Sequence, residues 1–191
     1  MKIILIIITA FIISQIAFAQ ERPMPDLKVV PSVDLQRYTG TWYEIARLPN
    51  WFQKGCAGEV TATYTLDEDG IEVVNRCRKE NGEMTEARGR ARRASEDEPN
   101  SKLQVRFAPA FLSWLPFVWG DYWIIDLAQD YSYAVIGEPQ RKYLWILSRT
   151  KTIDDGTMEG ILSGIKQQGY DVGKLVLTKQ SPATEGEPTL H

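Results

Sequence analysis

The chain has 191 residues and carries 22 Lys and Arg against 25 Asp and Glu, a formal net charge of −3 at pH 7. That balance, with no basic tract, lacks the electrostatic footprint of a nucleic-acid binder, and no nucleic-acid partner is expected. The only histidine is His191 and there are two cysteines, too few side chains for a zinc site or a Ser-His-Asp arrangement, so neither metal nor cofactor is expected.

Residues 1–19 read as a removed secretory signal. Lys2 is followed by an apolar run from Ile3 to Ile13 and by "AFA" before Gln20, a small-x-small junction. The alternative is an uncleaved anchor helix, but no positively charged stop-transfer flank follows. An exported chain is expected, either periplasmic or secreted, with a peripheral position at an outer membrane as one form of the former, and the junction offers no cysteine for lipid attachment. The remaining chain of about 170 residues suits one domain with a substantial core. It divides into a Pro-rich lead at 20–32, a folded domain at 33–179 and a polar, disordered tail at 180–191.

Strand-like runs then recur: "TWYEIAR", "EVTATYTL", "GIEVVNRCR", "EMTEARGRARRA", "KLQVRF", "DYWIID", "YSYAVIGE" and "KYLWILSRT". "DEDG" and "ENG" are hairpin turns joining the second, third and fourth. Eight segments in series make an antiparallel meander, and closing it into a barrel removes the exposed edges of a flat sheet. Between the fifth and sixth lies "FAPAFLSWLPFVW". Pro109 and Pro116 interrupt this apolar run, which therefore reads as a loop and not a spanning helix.

Alternation assigns the faces. Val60, Ala62, Tyr64 and Leu66 point inward from "EVTATYTL", and Ala87, Gly89 and Ala91 from "ARGRAR", which leaves Arg88, Arg90 and Arg92 outside. "KLQVRF" puts Leu103, Val105 and Phe107 inward and Lys102, Gln104 and Arg106 in water. The small inward residues leave room that side chains alone do not fill. "KYLWILSRT" is apolar on both faces, with Tyr143, Trp145 and Leu147 on one and Leu144 and Ile146 on the other. Such a strand has to be covered outside. The next segment supplies the cover, because Met158, Ile161, Leu162 and Ile165 fall on one helical face between a capping Asp154 or Asp155 and Gly169. "GKLVLTK" adds a last short strand. The expected fold is all-β, an eight-stranded up-and-down barrel with one flanking C-terminal helix.

In an exported chain Cys56 and Cys77 have one intramolecular pairing, a disulfide contributing about 3 kcal/mol in the chain-entropy model. A reactive thiol is the alternative, and it would supply an enzyme with a nucleophile.

"YTGTWYEIARLP" resembles the signature of the lipocalins, with Gly40, Thr41 and Trp42 in place of their Gly-x-Trp, and "YLWILSRT" is similar to their last barrel strand, with Arg149 as its arginine. "DYSYAVIGEP" resembles their third motif, although Gln129 stands where Thr is usual. The likeness runs from about residue 33 to 179 and is strongest to the apolipoprotein D-like branch, with its bacterial outer-membrane and plant temperature-induced members. The resemblance implies that Arg149 lies across Trp42 at the closed end of the barrel. It also matches Cys56 to a cysteine that pairs near the C-terminus in that branch; this partner is missing here, and Cys77 is the available substitute.

A barrel of this kind implies binding, storage or transport of a small hydrophobic ligand, here a fatty acid or lysophospholipid, with a link to membrane maintenance or stress and no catalysis. From alternation, Ala62, Tyr64, Ala91, Tyr122, Ile124, Tyr143 and Trp145 are expected to line the cavity, with hydroxyls from Tyr122 and Tyr143 orienting the ligand. Glu44 is expected to face inward and hydrogen-bond at the barrel floor. Trp51 and Phe52 would sit at the rim, and Phe111, Leu112, Trp114, Leu115 and Phe117 would touch a bilayer surface. The rivals are a ligand-modifying lipocalin enzyme and a partner-binding module that uses residues 108–118, with a homodimer as one form of the latter.

Overall fold

The alternating segments run back and forth eight times in the computed structural model, which describes residues 25–68 and 70–181. The signal-like segment 1–19 and residues 182–191 of the expected tail lie outside the described residues. β1 (Gly40–Arg47), β2 (Gly58–Asp67), β3 (Gly70–Arg78), β4 (Met84–Arg93), β5 (Lys102–Arg106), β6 (Gly120–Leu127), β7 (Tyr133–Gly137) and β8 (Leu144–Ser148) pair antiparallel in chain order, and β1 pairs with both β2 and β8. The sheet therefore closes into the predicted barrel.

One further helical turn, α1 (Leu35–Tyr38), precedes β1. The Asp34 side chain caps it by accepting from the amides of Gln36 and Arg37. A single turn has no hydrophobic period, which is why the sequence does not reveal it. The turn delivers Tyr38, 2% exposed, into the end of the barrel. The lead is part of the fold from residue 25 onward: Leu27 is buried, the Val30 amide donates to the Ile124 carbonyl at 3.0 Å, and Ser101 Oγ donates to the Val30 carbonyl at 2.5 Å.

α2 (Asp155–Gln167) is capped by Asp154, whose carboxylate accepts from the Thr157 amide, and the chain leaves it through Gly169 at φ +89°. Ile161 and Ile165 are buried against Leu27, Ala46, Val135, Leu144 and Ile146. The outer face of β8 is thus covered as its two-sided apolar pattern requires.

β9 (Val176–Leu177) pairs with Ala46 and Arg47 of β1, beyond the point where the β1–β2 ladder ends at Tyr43 and Thr61. The chain continues into the gap. The Thr178 amide donates to the Ile45 carbonyl, the Glu59 amide to the Lys179 carbonyl, and Gln180 Nε2 to the carbonyls of Glu44 and Val60, both at 2.9 Å. Gln180 and Ser181, expected in the disordered tail, are instead bonded into the wall, with Ser181 held by Glu59.

Two parity assignments change at the end of β5. Arg106, expected in water, is 7% exposed; its guanidinium lies 5.2 Å from the Trp119 ring and donates to the Ala108 carbonyl. The strand ends there, so alternation no longer governs the next side chain. Phe107 lies over Gly89, where an added Cβ would come within 2.7 Å of its ring, but it is 43% exposed and not part of the buried core.

Replacing Ile161 or Ile165 with Ala should cost about 2–5 kcal/mol, because each leaves a cavity between α2 and the barrel. Denaturant unfolding should show a lower midpoint at unchanged slope. A change near zero would mean that the helix does not seal β8.

Candidate functional site

The closed end of the barrel is bolted by two side chains, Arg149 and Trp42, bonded to backbone carbonyls of α1 and β1. The Arg149 guanidinium lies 3.8 Å from the Trp42 ring centroid and donates to the carbonyls of Thr41, Arg37 and Tyr38 at 3.0, 2.8 and 3.2 Å. Trp42 Nε1 donates to the same Tyr38 carbonyl at 2.9 Å. The stacking contributes about 0.5 to 2 kcal/mol. Gly40 is required beside it: its φ is +91°, and a Cβ there would stand 3.3 Å from Arg149 Nη1.

Above this floor, Tyr64, Ala91, Tyr122 and Ile124 belong to one buried cluster with Trp42, Leu103, Ile136 and Leu147. Ala62 and Trp145 pack against it but are only partly buried, as is Val105, and Ala62 lies opposite Trp42 in the β1–β2 ladder. Tyr143 stands apart. Its ring stacks on Trp145 at 6.0 Å and meets Phe52 at 5.6 Å, at the rim. The polar centre of the lumen therefore does not include Tyr143. It consists of Tyr122, whose hydroxyl meets that of Tyr64 at 2.7 Å and that of Tyr38 at 2.9 Å. Tyr38 was missed because α1 places it. Burial raises all three phenols, Tyr64 to about 12 and the other two well above the ordinary value.

Glu44 is 2% exposed and faces inward, but it does not close the floor. Its carboxylate accepts from Arg47 Nη1 at 2.5 Å, from Gln53 Nε2 at 2.7 Å and from the Thr178 hydroxyl. Gln53 Oε1 in turn accepts from Trp145 Nε1 at 2.9 Å and Asn50 Nδ2 at 2.6 Å. The group ties the β1–β2 loop to the wall near the mouth, because Glu44 is two residues from Trp42 on the open side. A recess of about 280 Å³ opens beside it, lined by Arg47, Pro49, Asn50, Trp51, Gln53, Lys54 and Val176. The far end of the same loop is fixed by the disulfide between Cys56 and Cys77, with Cα atoms 5.6 Å apart.

The apolar loop after β5 forms two 3₁₀ turns, Ala110–Leu112 and Pro116–Val118. Phe111, Trp114 and Phe117 are 75%, 77% and 79% exposed, whereas Leu112 and Leu115 are half-buried. The loop's base is held by Trp119, which donates to the Ser113 carbonyl and stacks under Arg92 at 3.9 Å. Trp51, Phe52, Met84 and Phe107 are also exposed on segments at this end.

Residues 33–180 match the family described as a lipocalin-like domain. The chain belongs to the lipocalin family. It is 41% identical over 158 residues to temperature-induced lipocalin-1 of Arabidopsis thaliana, covering 82% of this chain and 84% of that one. It is 35% identical over 184 residues to the outer membrane lipoprotein Blc of Citrobacter freundii, covering 96% and 98%. Mouse apolipoprotein D is 31% identical over 166 residues, 82% of each chain. Among solved structures, insecticyanin from the tobacco hornworm superposes with a TM-score of 0.63 at 24% identity, covering 83% of this lipocalin and 87% of that chain, a likeness of fold.

The buried phenols predict how this lipocalin responds to alkali. Their folded-state pKa values lie above the unfolded value of about 10, so the neutral phenols stabilise the fold fully below pH 10. That contribution should be lost as pH rises from 10 toward 12 and beyond. Spectrophotometric titration at 295 nm should show a subset of the eight tyrosines ionising only with unfolding. A single transition near pH 10 for all of them would contradict the buried cluster.

Proposed function

We propose that this lipocalin binds and carries a single-chain lipid in its barrel lumen, by sequestration and without covalent chemistry. The observation that carries the reading is the inner wall: mostly apolar and aromatic, with small side chains at Ala62 and Ala91, and only partly buried at Ala62, Val105 and Trp145. A fatty acid or lysophospholipid is the probe class. The carrier reading is preferred over an enzyme because both cysteines are taken up in the disulfide, which removes the thiol nucleophile. Export toward an envelope or extracellular space fits the outer-membrane name of one relative.

The exposed aromatic rim favours a second element of the same function, reversible contact of the mouth with a bilayer. Exposed apolar patches of this kind mark contact surfaces. Burying three of the rim side chains would contribute about 4 to 9 kcal/mol before ordering and desolvation costs are subtracted. The net should be weak binding and not anchoring.

A fluorescent fatty acid should bind saturably and be displaced by lysophospholipid. Ala62→Trp should abolish this binding at unchanged stability. Ala91 is the poorer choice, because it is 2% exposed and a large side chain there would overpack the wall. Undiminished binding in Ala62→Trp would place the ligand elsewhere.

Trp114→Ser combined with Phe117→Ser should lower vesicle partitioning about tenfold or more and slow lipid transfer from membranes, with affinity for dissolved ligand unchanged. If the double variant instead dissociates a dimer and partitions as before, the rim is an assembly surface.

A further inference from the structure

Three buried hydroxyls with two contacts between them leave one hydrogen-bond donor over. Tyr38, Tyr64 and Tyr122 are 2%, 4% and 8% exposed, and Tyr122 bridges the other two at 2.9 and 2.7 Å. Each phenol has one proton, and each contact uses one, whichever oxygen donates. One proton is therefore left without an acceptor in every arrangement, and among the described residues no other group bonds to any of the three hydroxyls. A buried donor without an acceptor is costly, and the wall around this one is made of Ala91, Leu103, Ile124, Ile136 and Leu147.

The cationic side chains near the inner wall have their N–H groups engaged elsewhere. Arg149 sits behind Trp42 and is spent on three backbone carbonyls, and Arg47 is paired with Glu44. Among the described residues no cation bonds to the triad hydroxyls, so an ionised carboxylate, phosphate or sulfonate placed against them would be buried without a direct counter-charge. An uncharged oxygen meets no such cost and satisfies the spare proton.

We propose that the Tyr38–Tyr122–Tyr64 hydroxyls are the recognition point of the lumen for an uncharged hydrogen-bond acceptor, a carbonyl or an un-ionised carboxyl, carried at the inner end of an otherwise apolar ligand. This rests on the reading that the lumen holds a ligand, and it narrows that reading to molecules that enter with a neutral oxygen first. Lipids with a permanently charged head group would be disfavoured at this position.

The test uses a neutral fluorescent dye, N-phenyl-1-naphthylamine, displaced by three probes of equal chain length: a methyl ketone, the alkane and the alkyl sulfonate. The ketone should displace best, and the infrared stretch of its ¹³C-labelled carbonyl should move to lower frequency when bound. Replacing all three phenols together, Tyr38→Phe, Tyr64→Phe and Tyr122→Phe, removes every donor and should weaken ketone binding roughly tenfold, return the stretch toward its value in hydrocarbon and leave alkane binding unchanged, whereas Tyr64→Phe alone still leaves one donor over and should keep the shift. If the triple variant does not fold, the carbonyl stretch and the preference for ketone over alkane in the unaltered protein give the same reading. Equal displacement by ketone and alkane with an unshifted carbonyl would overturn the proposal and leave the carrier function standing. A preference for the sulfonate would overturn it in favour of an anion site. If the dye and all three probes fail to bind, the lumen reading and this proposal fall together.

Discussion

Everything in this molecule depends on β1 having partners on both of its edges. A meander of eight strands leaves two unpaired edges unless its first strand meets both the second and the last, and an open sheet with these apolar faces would be prone to edge-to-edge association. Here β1 meets β8 along one edge. On the other it is shared, β2 pairing from Gly40 to Tyr43 and β9 at Ala46 and Arg47. The bolt of Trp42, Arg149 and the carbonyls of residues 37, 38 and 41 sits at the end where β1 and β2 are still together. Where they part, residues 176–181 complete the wall, with Gln180 bonded to a carbonyl on each side.

This closure separates the two apolar surfaces of the sheet into different roles. The outer one has a protein partner in α2 and the segment around Leu27, and there it is sealed by Ile161, Ile165 and Tyr170. The inner one is sealed at the bottom by Tyr38 and Trp42. The polar side-chain atoms of the inner face are gathered at two levels. The phenol cluster lies deep. The Glu44 group lies high and is internally satisfied, which makes it a fastening for the β1–β2 loop and not a ligand anchor.

The mouth is where the fold leaves apolar surface uncovered. Pro109 and Pro116 set up two short turns that direct Phe111, Trp114 and Phe117 outward, while Trp119 and Arg92 hold the loop's base to β4. A loop so fastened presents its rings at a fixed place beside the lumen's opening. On the proposed function, exposed rings at that place would serve the collection of a ligand from a surface in which it is dissolved.

The sequence by itself determined the elements that follow from repetition: the alternating strands, the two-faced β8, the helix that covers it, and the inward position of Ala62, Tyr64, Ala91, Tyr122 and Ile124 as members of the same faces. Those features are local, because strand alternation and helical spacing are written within a few residues. The family signature added the two ends of the closure, Trp42 and Arg149, which no local pattern connects. Only the tertiary structure decided the rest. Tyr38 enters the lumen through a single helical turn too short to show a period. Arg106 is buried because its strand stops beneath Trp119. Glu44 bonds upward to Gln53 and Thr178, which approach it from a loop and from the far end of the chain. Gln180 belongs to the wall because β1 and β2 diverge. Each of these depends on which distant segments closure of the barrel brings together, and side-chain alternation along one strand carries no record of that.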